Sequence, residues 1–146
     1  MKSMGTCFAL ALAVFLLLSN SRALAQEEEP HVYQITTWKT VMPEGGSATE
    51  RDSLLLEWVN AVLRPNTKIL SSKNLRHDYG SDSHDWVVIT EYKTWADIEA
   101  AGKMSDELFN KKWPDKKQQG EFNRRLGKYF TGHSDEIYRE LPKFRK

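Results

Sequence analysis

The sequence predicts an α+β domain in which helices cover one face of a four-stranded antiparallel sheet. Two segments, residues 31–40 (HVYQITTWKT) and 85–92 (DWVVITEY), are rich in β-branched and aromatic side chains and alternate in polarity, as strands do. Between them, apolar residues recur with helical spacing, and Gly, Pro, Ser and Asp mark turns. Together these signals predict the order β-α-β-β-α-β.

The first strand leads through a turn into an amphipathic helix. Residues 42–47 (MPEGGS) have turn chemistry, and Ser47 or Thr49 is a suitable cap for the helix that follows. We expect this helix over residues 48–63, ending before Pro65. Its apolar side chains fall at positions i, i+3, i+4 and i+7, which are Leu55, Trp58, Val59 and Val62.

A second pair of strands and a divided helical region complete the pattern. Residues 69–79 and 85–92 are expected to be strands joined by a turn at 80–83. Thr94 should cap a helix that breaks and resumes over 106–113, and Pro114 suits the first position of a further helix. The last strand is expected at 134–141.

This order is that of the ferredoxin-like fold, which we assign to residues 31–141. The predicted strands carry large side chains on both faces, with Tyr33, Ile35, Val87 and Ile89 opposite Trp38, Trp86 and Tyr92. Because helices cover only one face, an apolar second face needs another cover. A second copy of the chain packed face to face is the simplest cover, so the sequence predicts a homodimer.

The two ends of the chain differ from the predicted domain. Residues 1–25 combine Lys2, an apolar run at 7–18 and the small residues Ala23 and Ala25, as a secretory signal peptide does. The run spans about 18 Å as a helix, which is short for a retained membrane anchor, the alternative. Residues 26–30 form an acidic leader and residues 142–146 a basic tail. We therefore predict a secreted or periplasmic protein that is not held in the membrane once the signal peptide is removed.

Composition excludes several classes of function. The 146 residues carry a net charge of +1, which argues against nucleic-acid binding. Cys7, the single cysteine, lies within the predicted signal peptide, so the mature domain has neither a disulfide nor a thiolate nucleophile. Nucleophile-elbow and phosphate-loop spacings are missing from the sequence, and nothing in it predicts a cofactor.

The segment around the second turn contains the most suggestive side chains. A four-residue turn would pair Tyr79 with His84 and would place His77, Tyr79 and Trp86 on one face, whereas a five-residue turn would pair Tyr79 with Asp85 and would group Arg76, Asp78 and Trp86. We favour the first register, since the second turns His77 and Tyr79 towards the helices. The histidine–aspartate pairs at 77–78 and 84–85 cannot chelate a metal from within a strand, because adjacent side chains point to opposite faces. No metal site is predicted.

These patterns suggest a pocket with aromatic walls and a few polar groups. His77 is the candidate catalytic base, with Tyr79 or Tyr92 as a proton donor. His133, followed two residues later by Asp135, is a further candidate. The alternative for each histidine is a surface or dimer-interface position. The predicted ligand-binding residues are Trp38, Trp86, Thr90, Tyr92 and His133.

Residues 31–141 resemble the dimeric α+β barrel superfamily, which includes the antibiotic-biosynthesis monooxygenase-like, NIPSNAP-like and EthD-like small domains. The resemblance lies in the strand order, in residues 87–100 (VVITEYKTWADIEA) and in the first strand leading to a Pro–Gly turn and a helix. It implies a pocket for an aromatic or hydrophobic ligand. The haem-degrading members carry a histidine on the second helical region, and residues 95–113 contain none.

Three functions are compatible with these observations. The leading one is an exported homodimer that binds a small apolar or aromatic molecule. The second is a cofactor-free monooxygenase or isomerase that uses His77. The third is a structural module whose aromatic face serves only to dimerise.

Overall fold

The structure, a computed structural model, describes residues 29–146, so the predicted signal peptide and residues 26–28 of the leader lie outside the described residues. Within that part of the chain, four strands and three longer helices form an α+β sandwich. The elements are β1 (Val32–Thr40), α1 (Ala48–Trp58), a π-helical segment (Val59–Leu63) that continues α1, β2 (Ser71–Arg76), β3 (Asp85–Tyr92), α2 (Trp95–Lys112), α3 (Lys116–Gly127), β4 (Phe130–Arg139) and a short 3-10 turn (Pro142–Phe144).

The sheet confirms the predicted fold class. Its strand order is β2-β3-β1-β4 and each neighbouring pair is antiparallel, as in ferredoxin-like domains. The central strands β1 and β3 pair along their whole length, with Ile35 opposite Ile89 and Trp38 opposite Trp86. This register fixes which side chains share a face, because alternate residues of a strand point the same way.

The favoured register of the β2–β3 hairpin is wrong. Arg76 pairs with Trp86 and Asn74 with Val88, so Trp86 shares its face with Arg76, as the second predicted register has it. The loop is also longer than expected, because β2 ends at Arg76. Beyond this strand, the His77 backbone amide donates one further hydrogen bond, of 3.2 Å, to the Asp85 carbonyl. Residues 80–83 lie in the turn, as predicted, but the residues on either side of them do not continue the strand pairing. Gly80 itself has a φ of +140°, which strands of L-residues rarely adopt.

The second helical region is divided near Pro114, where a further helix was expected to begin, but the expected earlier break before residue 106 is absent. α2 runs without a break to Lys112, and the interruption falls at residues 113–115. Asp115 caps α3 and Pro114 precedes the cap, because the Asp115 carboxylate accepts hydrogen bonds from the backbone amides of Lys117 and Gln118. β4 begins at Phe130, four residues before the predicted strand, since it pairs there with the end of β1.

The hydrophobic core lies mainly between the helices. Five side chains are buried together, from α1, the π-helical segment, α3 and the residues beside α3, and they are Leu54, Val62, Trp113, Phe122 and Tyr129. The Trp113 and Phe122 rings are 4.1 Å apart. The fully buried Tyr129 also donates a hydrogen bond of 2.6 Å from its hydroxyl to the carboxylate of Glu50 on α1. The core therefore fixes α1 against α3 and the start of β4.

The opposite face of the sheet has no cover within the described chain. Tyr33, Ile35, Val87 and Ile89 project from this face, and they are only half-buried. At its middle level the face reads, from edge to edge, Lys73, Ile89, Ile35 and Glu136. We call this surface the open face. The open face is apolar only at the middle of its central strands, because Lys39, Asp85 and Glu91 near the strand ends and both edge strands carry charge.

Candidate functional site

A cavity of about 760 Å³ lies between the sheet and the helices. The helix-facing residues of all four strands line one wall, and residues of α1, α2 and α3 line the other. The five core residues are not part of either wall. On α1 and the π-helical segment, for example, Leu54 and Val62 enter the core while the adjacent Leu55 and Leu63 enter the cavity wall. The cavity and the core are thus neighbours that share few side chains.

Aromatic rings dominate the sheet wall. Trp38 and Trp86 are directly paired across β1 and β3, and Tyr92 lies further along β3. Trp58 at the end of α1 faces them from the helical wall. Such walls favour flat, apolar ligands, because an aromatic ring offers a large contact area and a preferred stacking geometry.

The ring of Trp86 is held from two sides. Its Nε1 donates a hydrogen bond of 3.1 Å to the Asn74 side-chain oxygen on β2. The guanidinium of Arg51 on α1 lies 5.2 Å from the ring centroid, and this arginine is buried and paired with Asp52 at 2.8 Å. A cation over the face of an indole is attracted to its quadrupole. Trp86 is therefore fixed as a rigid part of the wall.

A polar network crosses the sheet wall at the level of Asp135. The Oδ1 atom of Asp135 accepts hydrogen bonds from Thr36 Oγ1 at 2.6 Å and from Gln34 Nε2 at 3.0 Å. The Gln34 side-chain oxygen in turn accepts one of 3.2 Å from the Tyr92 hydroxyl. Three strands are linked in this way, and every polar atom of the Gln34 amide is oriented by a partner on the wall.

These contacts shift two acid–base equilibria in opposite directions. The hydrogen bond from Thr36, followed by those from Gln34 and His133, keeps the pKa of Asp135 below its ordinary value, so the carboxyl is ionised near neutral pH. Burial, and then the charge of Asp135, raise the pKa of Tyr92, whose hydroxyl stays protonated. The wall therefore presents one carboxylate beside a neutral phenol.

His133 completes the network at the edge of the cavity. It precedes Asp135 by two residues on β4, so both side chains project from the same face, and His133 Nε2 lies 3.2 Å from Asp135 Oδ2. The imidazole also lies against Trp38, with ring centroids 4.2 Å apart and planes inclined by 36°. The predicted association of His133 with Asp135 is thus present in the structure.

The helical wall is largely aliphatic and contains a conformational irregularity. Val59 and Leu63 come from the π-helical segment, where an extra residue per turn rotates the following side chains relative to a regular helix. Ile98 and Gly102 of α2 line the same wall. Nothing lies within 4 Å of the position that a Cβ at Gly102 would occupy, so this glycine opens onto free space.

The structure divides the residues singled out from the sequence into two groups. All five predicted ligand-binding residues line the cavity: Trp38, Trp86, Thr90, Tyr92 and His133. His77 and Tyr79 do not line it, because β2 ends before them, and the Tyr79 side chain is 98% exposed. The structure therefore separates the predicted base from the predicted pocket, and ligand binding by the five wall residues stays a prediction.

Several wall residues were not predicted from the sequence. Gln34 and Thr36 precede Trp38 at intervals of two in the same strand, so the alternation that placed Trp38 on a face also places them there. Asn74 was missed because the favoured register put the wrong face of β2 on the wall. Ser105 and Asn123 contribute polar atoms from α2 and α3, and no short-range pattern marks them.

Two kinds of feature are absent from residues 29–146. That part of the chain contains no cluster of three or more His, Cys, Asp or Glu side chains placed to hold a metal ion. None of its helices is both long and apolar enough to cross a membrane.

Several solved structures share this architecture. An uncharacterized NIPSNAP-like domain protein from Burkholderia xenovorans superposes with a TM-score of 0.55 at 14% identity, covering 80% of this chain and 89% of that one. A candidate antibiotic biosynthesis monooxygenase from Caulobacter crescentus gives 0.51 at 13%, covering 78% and 92%. A dimeric ferredoxin-like protein from an uncultured marine organism gives 0.52 at 12%, covering 77% and 97%.

These similarities confirm the predicted resemblance for the fold. At such low identity they show a shared backbone arrangement and leave the chemistry of the cavity to be argued from its own residues. No protein-family model matches the chain, and neither does any curated protein.

Proposed function

We propose that this protein binds a small, flat, uncharged aromatic molecule in the cavity between its sheet and its helices. The observation that carries the proposal is the cavity itself, with about 760 Å³ of space and two tryptophans paired on one wall. Cavities that hold small molecules measure about 300–1,000 Å³ and combine apolar walls with a few placed polar groups.

The charges on the wall support an uncharged ligand. Among the described residues that line the cavity, none is a lysine, an arginine or a glutamate, and the charged or titratable ones are Tyr92, His133 and Asp135. A permanently anionic ligand would enter beside the Asp135 carboxylate, and the nearby Arg51 guanidinium lies over the Trp86 ring and is already paired with Asp52, so the ligand charge would cost free energy in a partly dehydrated site. A neutral ring system with a polar edge meets no such cost.

Filling the cavity from α2 tests this proposal. Gly102→Leu places an aliphatic side chain in the free space beside Gly102, and we expect it to weaken the binding of an apolar fluorescent dye, 1-anilinonaphthalene-8-sulfonamide, by at least tenfold, about 1.4 kcal/mol. Dye fluorescence and quenching of the wall tryptophans, both followed by titration, measure the affinity.

Gly120→Leu is the matched control. Gly120 is also a helical glycine with nothing within 4 Å of its Cβ position, but it lies on α3 outside the cavity. We expect this variant to bind the dye as the parent does. Equal affinities for the two leucine variants would show that the dye binds elsewhere and would remove support for the cavity.

We also propose that two copies of the chain pair through their open faces. The row Lys73, Ile89, Ile35 and Glu136 is apolar at its centre and oppositely charged at its two ends. A twofold axis parallel to the strands would stack the isoleucines and would bring Lys73 of each protomer to the partner's Glu136. The dimeric ferredoxin-like protein reported above has the same fold, which is consistent with this arrangement.

We further propose that the chain is exported and that the mature protein begins at Gln26. The support is the sequence of residues 1–25, described above. Mass spectrometry of the protein recovered outside the cytoplasm should show Gln26 at the amino terminus, and Ala25→Arg should block processing. Recovery of the intact chain from the cytoplasm would contradict the proposal.

A further inference from the structure

We propose that His133 accepts a proton from a weakly acidic hydroxyl group of the cavity ligand, which places that ligand among the phenols and stable enols. This inference rests on the proposed function and specifies its chemistry. It moves the acid–base role from His77, which the structure places outside the cavity, to a histidine on the cavity wall.

The position of the imidazole supports a role as a proton acceptor. His133 Nε2 lies against Asp135 Oδ2, so this nitrogen carries the proton in the neutral ring and Nδ1 has the free electron pair. The Asp135 carboxylate is itself immobilised through its other oxygen by Thr36 and Gln34. A carboxylate held behind an imidazole fixes the tautomer and stabilises the imidazolium that forms when a proton arrives.

The charge balance of the cavity fits this transfer. The ligand O–H bond breaks, its electron pair stays on oxygen, and a new N–H bond forms at Nδ1. The products are a bound phenolate or enolate and an imidazolium, so the total charge is unchanged. The new cation lies between two anions, the ligand oxygen and Asp135, and thus supplies the positive charge that the wall otherwise lacks.

The surroundings of His133 contain few competing groups. The charged or titratable side chains that face the cavity from the sheet are Asp135 beside it and Tyr92, which reaches Asp135 through Gln34. β1 contributes Trp38, and α3 contributes Asn123, Leu126 and Gly127, all without charge. The His133 side chain is 44% exposed, so the accepted proton can exchange with solvent.

The test uses two probes of nearly the same shape. 4-Nitrophenol changes its absorption spectrum when it ionises, and 4-nitroanisole has no acidic proton. We expect the wild-type protein to lower the ionisation midpoint of bound 4-nitrophenol by about one pH unit relative to the free probe, a tenfold change in the equilibrium. We expect His133→Gln to lose the downward shift and Asp135→Asn to reduce it, with the affinity of each variant for 4-nitroanisole measured separately.

His84→Gln is the matched control, because His84 also contacts an aspartate, Asp82 at 3.2 Å, but lies outside the cavity. It should leave the shift unchanged. Binding of 4-nitroanisole and far-UV circular dichroism show whether each variant is folded. If both probes bind to the wild type and 4-nitrophenol shows no downward shift, or if His133→Gln retains the shift, the proton-transfer inference is overturned and the binding proposal stands. If neither probe binds, both are overturned.

Discussion

Replacing Phe122 by alanine should destabilise the protein by about 3–5 kcal/mol, the cost of removing a large aromatic side chain from a packed interior. Phe122 is 5% exposed, and its ring lies 4.1 Å from Trp113 and 6.0 Å from Phe109. The substitution leaves a void where α3 meets the end of α2, and the neighbouring rings cannot fill it without moving. Because domains of this size are stable by about 5–15 kcal/mol, the loss is a large part of the total.

Urea unfolding followed by far-UV circular dichroism measures this loss. At a slope of about 1.5–2 kcal/mol per molar urea, the midpoint should fall by about 2 M. Both proteins should be compared at one protomer concentration, since association contributes to stability. Phe144→Ala is the control: Phe144 is 73% exposed, and its loss should change stability by less than about 0.5 kcal/mol. Similar midpoints for the two variants would contradict the position of the core.

Ile89→Lys should convert the proposed dimer into monomers. Ile89 pairs with Ile35 at the centre of the open face, and the twofold axis would bring both copies of the new lysine into one apolar interface. Burying an unpaired ammonium group costs several kcal/mol, and here the cost enters twice. Sedimentation velocity at micromolar concentration should show one species of monomer mass in place of the dimer. Leu56→Lys, on the exposed side of α1, should leave the dimer intact.

A charge exchange tests the orientation of the two copies. Lys73→Glu should weaken the dimer because it would place two glutamates together at each edge, and adding Glu136→Lys should restore the affinity. Each single rim substitution should change the dissociation constant by about tenfold or less, since exposed ion pairs are weak. A dimer that survives Ile89→Lys would show that another surface mediates association.

Strand identity and element order could be predicted from the sequence because they depend on local periodicity. β1 and β3 alternate over most of their length, so the faces of Trp38 and Ile35 followed directly from residue spacing. The register of β2 could not be predicted in the same way. It depends on the length of a loop with several turn-forming residues in 77–84, and a shift of one residue reverses every side chain.

The same distinction applies to the cavity. Trp38, Trp86, Thr90 and Tyr92 lie on β1 and β3, whose faces the pattern determines, whereas His77 and Tyr79 depended on the register of β2. The start of α3 was predicted two residues early because Pro114 can precede a helix as well as begin one, and the cap formed by Asp115 decides the case. Ser105 and Asn123 reach the cavity only through tertiary packing, for which a single sequence gives no signal.

The separation of the buried helix-to-helix cluster from the proposed ligand cavity has an evolutionary consequence. Since Leu54, Val62, Trp113, Phe122 and Tyr129 maintain the fold without lining the cavity, exchanges at wall residues that do not pack against them leave this cluster intact, whereas Trp58, Leu126 and Phe130 contact both regions. Descendants of such a domain could acquire new ligands through a few substitutions on the cavity wall, while substitutions in the helical cluster remain limited by its packing. One scaffold can thereby diversify its chemistry without first gaining extra stability.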